Sequence, residues 1–316
     1  MTIGVIGHVP NPTVADAVAL ARVAETEGAH WIGFADAFWW RDVWLLLGEV
    51  ARATERIEVG PGMTNPYLRH PFHTVSALAT LQEMAPGRVG VGIAAGGSEV
   101  TGAAGLSRHD AATRIAELVA LIRRVGDGGP LDPGTGKPLE LALRPLPVLV
   151  AGRGDRVLAT AGEVADRVLL WSVPDSDLDR SVAQVEAGIA RRRDGSRPEL
   201  VWAPLVALGD HDRHQVRRIA VYASINGAPH LRRRWGLSPD DVAAIRADLV
   251  RGAWDDAVDR VPERAIADLV HADADPDVVA DRARRIGATG IAVPGFDPAS
   301  LPARVRWATE VHDRLR

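Results

Sequence analysis

Residues 56–98 read RIEVGPGMTNPYLRHPFHTVSALATLQEMAPGRVGVGIAAGGS. The alternating run Ile57-Glu58-Val59 stops at Gly60-Pro61-Gly62. Proline has no amide donor and glycine admits unusual backbone angles, so neither helix nor regular strand continues there. A polar knot, Thr64-Asn65-Pro66-Tyr67, is followed by Arg69-His70-Pro71. Val75, Leu78, Leu81 and Met84 then recur every third residue, which predicts a helix over 71–84 with proline in its first turn. Pro86-Gly87 ends that helix, and VGVGIA at 89–94 reads as a second strand running into Gly96-Gly97-Ser98. The order is strand, loop, helix, strand, loop.

The same alternation extends both ways. A strand over 2–9 precedes Asn11-Pro12, read as the cap of a helix that buries Val14, Val18, Ala21 and Val23 and ends at Gly28. The apolar strand 30–35 delivers Asp36 to its C-terminal end, and Asp42 caps a helix through Leu45, Leu46, Val50 and Ala53. Ser107-Arg108-His109-Asp110 reads as a capping box before a helix through Ile115, Leu118, Leu121 and Ile122. The Gly/Pro-rich stretch 126–137 reads as a surface excursion. Further strands are expected over 147–150, 167–171, 200–208 and 290–293, and helices over 155–162, 176–193, 276–286 and 298–315. Residues 210–271 are helical and polar without a clear strand.

Eight strand candidates alternate with helices, and several are apolar on both faces, as parallel strands covered by helices must be. The pattern predicts an α/β fold, a (β/α)8 TIM barrel with a helical insertion before the last strand; a doubly wound sheet is the alternative. The whole chain, 1–316, is expected to form a single domain with 210–271 inserted in it. A composition 47% hydrophobic and 25% charged supplies a large core, and a net charge of −4 offers no field for nucleic acid. The absence of cysteine excludes disulfides, thiolate metal sites and a cysteine nucleophile. No signal-like N-terminus or membrane-length apolar run is present, so a cytoplasmic protein without membrane partners is expected. The arginine runs 191–193 and 232–234 read as solvated helix faces.

In a barrel the ends of the strands share one mouth. That gathers Asp36, Gly62, Met63, Thr64, Asn65, Gly96, Gly97, Ser98, Ala151, Gly152, Arg153, Gly154, Trp171 and Ser172. Ala151-Gly152-Arg153-Gly154, between a strand and a helix start, exposes amides to an anion and adds a guanidinium, so it reads as a phosphate turn or an ordinary tight turn. Asp36, beside Phe38-Trp39-Trp40, suits proton transfer or recognition, or caps the next helix. Trp39, Trp40 and Trp44 read as pocket wall, core or subunit contact. His8 is a lone candidate base at the end of the first strand. His70 and His73 share a helix face without a nearby third ligand, so no metal site is expected.

The run GPGMTNPYLRHPFHTVSALATLQEMAPGRVGVGIAAGG, with PVLVAGRGDRVLATAGEVADRVLLWS and the stretch 30–60, resembles the bacterial luciferase-like superfamily. Its nearest likeness is the branch using the deazaflavin coenzyme F420, which includes methylenetetrahydromethanopterin reductase-like proteins. The resemblance implies the same barrel and a hydride transfer between the deazaflavin C5 and a small organic substrate, with Asp36 as the catalytic candidate. It implies a cis Gly62–Met63 peptide bulging against the ring, with Thr64, Asn65 and Asp36 beside it. Gly152, Arg153 and Gly154 would hold the cofactor phosphate, and Gly96 and Gly97 would allow close approach. A homodimer through the early helices is also implied. The alternatives are an FMN-dependent monooxygenase fed by a separate flavin reductase, and a non-catalytic flavin-binding homologue. Two positions depart from the pattern: Ala37 stands where many relatives have histidine, and Arg153 stands between the glycines of the phosphate turn.

Overall fold

The computed structural model of the chain describes residues 2–8, 12–271 and 274–315. Its strands are β1 Ile3–Gly7, β2 Trp31–Phe34, β3 Glu58–Pro61, β4 Val91–Ile93, β5 Val148–Ala151, β6 Arg167–Trp171, β7 Glu199–Ala203, β8 Leu205–Val206, β9 Val270–His271 and β10 Gly290–Gly295. The helices α1 Val14–Thr26, α2 Val43–Ala53, α3 Pro71–Met84, α4 Ser98–Ala103, α5 Ala111–Gly126, α6 Asp155–Val164 and α7 Leu178–Ile189 punctuate the first seven strands. Between β8 and β9 run α8 Asp210–Ile225, α9 Pro229–Trp235, α10 Pro239–Val250, α11 Trp254–Arg260 and α12 Glu263–Leu269. Then come α13 Pro276–Arg285 and, after β10, α14 Leu301–Leu315.

Eight strands form one sheet in the order β3-β2-β1-β10-β7-β6-β5-β4, every pairing parallel. Parallel bridges Val59↔Val89 and Thr64↔Ile93 bring its two edges together. This is a (β/α)8 barrel, and α8 to α12 form the helical insertion ahead of its last strand. Alternate residues serve two cores, because successive side chains point to opposite faces of a strand. Ile6, Trp31, Leu149, Leu169, Val201 and Ala292 fill the barrel. Val5, Ile32, Val59, Val150, Val168 and Val293 face the helices. The insertion has a further core around Val216, Trp235, Ile245 and Ile266. At the N-terminal end of the barrel, Arg167 pairs with Glu58 at 2.6 Å and approaches Glu199 at 3.5 Å.

Local chemistry sets the helix starts. The Asp42 carboxylate accepts from the N–H groups of Trp44 and Leu45, and proline opens α3 while His70 Nδ1 accepts from Phe72 N. Three expectations need correction. The start of α1 is capped by Thr13 in a capping box with Asp16, and Asn11 lies outside the described residues. Its buried face is Ala17, Leu20, Ala21 and Ala24, while Val14 is 40% exposed; small side chains let the helix sit close to the sheet. Residues 107–110 are not a capping box. Asp110 takes a left-handed φ of 55° and makes no side-chain cap, and α4 precedes it unannounced by periodicity. Arg192 is no solvated charge either, because its guanidinium donates to the carbonyls of Gly162 and Ala165 and finishes α6.

Candidate functional site

The mouth of the barrel is organised by the passage from β3 to β4. Gly62 N donates to Phe34 O at 2.6 Å, and the Gly62–Met63 peptide is cis. The Met63 carbonyl accepts from Asp36 N at 3.1 Å, and Thr64 N donates to Gly92 O at 2.9 Å. The bulge is thereby stitched to β2 on one side and β4 on the other. Its approach is tight: a Cβ on Gly62 would lie 2.8 Å from the Gly33 Cα. The Met63 side chain crosses Gly92, where an added Cβ would meet its sulfur at 2.5 Å.

Thr64 and Asn65 are buried. The Thr64 hydroxyl donates to Asp36 Oδ2 at 2.7 Å. Asn65 Oδ1 accepts from Tyr67 N and Leu68 N, the local bond that asparagine offers a tight turn. Burial pushes the Asp36 carboxyl above its ordinary range, opposed by the Thr64 hydrogen bond and the Arg69 charge. Arg69 is held by Asp42 at 2.7 Å and lies over the Trp44 ring at 5.7 Å.

On the far side of the mouth, Ala151 ends β5 and Gly154 is the N-cap of α6 without a side-chain cap. The amides of that first turn are thus left for an anion. A Cβ on Gly152 would strike Val157 at 2.5 Å, whereas one on Gly154 would meet nothing within 4 Å. Arg153 leans across the turn, its Nη1 donating to Ala223 O in α8 at 3.3 Å. Between these sides Gly96 turns at a φ of 76°, its carbonyl accepting from Arg108 at 2.8 Å, and Gly97 is the N-cap of α4. Met63, Ala94 and Trp171 pack around the interior core, to which Ala151 and Ala203 belong. Alanine at three of these positions keeps the rim low. Together these groups can hold an anion at α6, seat a planar group against the bulge and present one carboxyl beside it.

A family model described as luciferase-like monooxygenase matches residues 1–292. The chain belongs to that family. It is 26% identical over 300 residues to the 5,10-methylenetetrahydromethanopterin reductase of Archaeoglobus fulgidus, covering 90% of each chain. Over 137 residues, 40% of this chain and 41% of the other, it is 34% identical to an F420-dependent glucose-6-phosphate dehydrogenase of Beutenbergia cavernae. The solved coenzyme F420-dependent tetrahydromethanopterin reductase of Methanopyrus kandleri superposes with a TM-score of 0.79 at 23% identity, over 100% of this chain and 99% of that one. The shared fold is the barrel described above.

The structure brings Asp36, Thr64 and the 62–63 bulge into contact and sets the Gly96 turn beside Asn65, where an added Cβ would stand 3.4 Å from it. Ala151 to Gly154 stand at the end of β5, across the mouth. His70 caps α3, its Nδ1 accepting from Phe72 N. Sequence reasoning missed Arg69 and foresaw Ser172 only as a position at the mouth. Ser172 is buried just past the end of β6 with a left-handed φ of 51° and an unpartnered hydroxyl. A cavity of about 420 Å³ lies outside the barrel wall against α13, lined by Trp202, His271 and Arg282, and none of the expected residues reaches it. Among the described residues no helix is long and apolar enough to cross a membrane.

Proposed function

We propose that this chain is a coenzyme F420-dependent oxidoreductase transferring a hydride between the deazaflavin and a small organic substrate. The carrying observation is the pairing, on one barrel mouth, of an uncapped helix start at Gly154 with the braced bulge at residues 62–65. The relatives named as F420-dependent enzymes support it. Gly152, Arg153 and Gly154 would hold the phosphate of the coenzyme, with Ala151 closing the strand beneath. Gly62, Met63, Thr64 and Asn65 would back its ring, with Gly96 and Gly97 at the rim. When bound, the coenzyme supplies a two-electron carrier that takes or gives hydride. The protein's work is to orient the substrate, exclude water and keep Asp36 beside the ring.

The insertion, residues 210–271 of the single domain, builds the outer wall of the substrate pocket in this reading. A homodimer would use the early helices, where Leu45 is 78% exposed. A second reading, favoured by the family description, is an FMN-dependent monooxygenase served by a separate flavin reductase. Fluorescence titration of the apoprotein with F420 and with FMN separates the two. Saturable micromolar binding of F420 with weak FMN binding supports the first, and the reverse supports the second. Binding of neither overturns the phosphate assignment at Gly152–Gly154.

A further inference from the structure

Trp202 on β7 belongs to the core that faces the helices, while its neighbours Val201 and Ala203 face the barrel interior. The cavity of about 420 Å³ that it lines is therefore on the outer side of the sheet, away from the interior of the barrel. The other walls come from α12 and β9, at the end of the insertion, and from α13. A volume of that size suits a small organic molecule.

The rings describe one part of the guest. The parallel pairing Val206↔His271 fixes β9, and the His271 ring stands 5.2 Å from Trp202 at 85°. Two ring planes at right angles make a corner where a flat aromatic group stacks on one and meets the other edge-on. Val278 and Val279 add aliphatic wall.

The hydrogen-bond balance describes the other part. The carboxylates at the cavity are already engaged. Asp268 Oδ1 accepts from Ser176 N at 3.0 Å, and its Oδ2 accepts from Ser176 Oγ and Trp235 Nε1, both at 2.7 Å. Asp175 Oδ1 accepts from Arg282 Nε at 2.9 Å. The donors are left over. Trp202 Nε1 is buried without a partner, and among the described residues the His271 ring nitrogens have none. Burial holds the His271 pKa below its ordinary value, so the ring is neutral at physiological pH and carries one N–H. Arg285 is exposed, donates only to the Asp281 carbonyl at 3.4 Å, and pairs with no carboxylate among the described residues. A cation would face two guanidiniums here, and a wholly apolar guest would leave the donors unmet. An anion on a flat apolar body answers both.

We propose that this cavity is a second binding site, separate from the barrel mouth, for a small aromatic carboxylate. Its ring fills the corner between Trp202 and His271, and its carboxylate takes charge-assisted hydrogen bonds from Arg285. The walls belong to the barrel, the insertion and α13, so an occupant ties the three together. The assignment is independent of the coenzyme reading.

The test is isothermal titration of the intact chain, without coenzyme, with 2-naphthoate as the probe. The probe should bind one to one. Arg285→Gln should weaken it about tenfold, and so should its replacement by the uncharged 2-naphthamide. Val278 is 49% exposed at the rim, so Val278→Trp should fold, fill the cavity and abolish binding. In ¹⁵N-tryptophan-labelled protein, the indole N–H signal of Trp202 should shift when the probe is added. Inorganic phosphate at equal concentration should not displace the probe. No saturable binding up to about 5 mM overturns the assignment. Equal binding of the amide overturns it too, because the cavity is then only an apolar crevice. Displacement by phosphate overturns it by marking a bare anion site. Wild-type affinity in either variant places the probe elsewhere and also overturns it.

Discussion

At Asp36, burial and the hydrogen bond from Thr64 push the carboxyl in opposite directions, and burial wins. The folded Asp36 carboxyl lies above its ordinary value of 3.8, first because it is buried. Between that value and the raised one, the folded protein holds a proton that the unfolded chain has released. Stability therefore falls as pH rises through the window, and above it the fold bears the whole cost of a buried carboxylate. Asp36→Asn keeps an acceptor for Thr64 and removes that cost. It should raise Tm by about 2 °C at pH 7, with the difference vanishing below pH 3.8 in thermal scans. His8 has the opposite sign. Its folded value of about 4 lies below the ordinary 6.5, so stability should drop between pH 6.5 and about 4 as the unfolded chain takes up the proton. His8→Asn should flatten that part of the pH–Tm curve. Gly62→Ala and Gly154→Ala form a contrasting pair. The first places a Cβ 2.8 Å from unyielding backbone and should cost about 2–4 kcal/mol in urea unfolding. The second meets nothing within 4 Å, so it should leave stability unchanged while weakening F420 binding about tenfold by filling the anion cradle.

At the scale of elements, α6 matters because its first turn forms part of the site. Its seat on α7 is glycine against carbonyl in both directions. A Cβ on Gly188 would lie 1.9 Å from Ala159 O, and one on Gly162 would lie 2.1 Å from Val185 O. Gly188→Ala must push the helices apart. We expect a loss of about 2 kcal/mol or more in urea unfolding together with weaker F420 binding, because the same shift displaces Gly154. None of this is visible in periodicity, which marks which face is apolar but not how closely two backbones approach. The elements themselves were legible where a local rule acts alone: proline and the 75/78/81/84 spacing delimit α3, and Asp42 caps α2. They were illegible where tertiary contact decides. α4 is too short for a pattern, Asp110 takes a conformation that the residue type permits without demanding, and Arg192 caps a helix distant in sequence. The site divides likewise. The loop 62–65 and the turn 151–154 announce themselves by residue type. Arg69 owes its place to the fold.

At the scale of the molecule, the barrel and its insertion are pinned by a charge pair sealed from water. Arg304 in α14 is fully buried, with Nη2 2.7 Å from Asp212 Oδ2 in α8 but off line for a hydrogen bond, and Phe296 covers the guanidinium at 4.4 Å. Burial lowers the Arg304 pKa, and the Asp212 charge opposes that shift. Such a pair adds little over an apolar contact, yet breaking it on one side strands the other charge. Asp212→Ala should therefore cost about 3–5 kcal/mol in urea unfolding, and Arg304→Met about as much. The double variant should be more stable than the Asp212→Ala single, because no bare cation remains. Since α8 begins the insertion, the strain of a stranded Arg304 should be relieved there first. Limited trypsin digestion of Asp212→Ala should then cut within residues 210–271, at the arginines of α9, before the barrel is touched. Uniform cleavage along the chain would show instead that insertion and barrel unfold together.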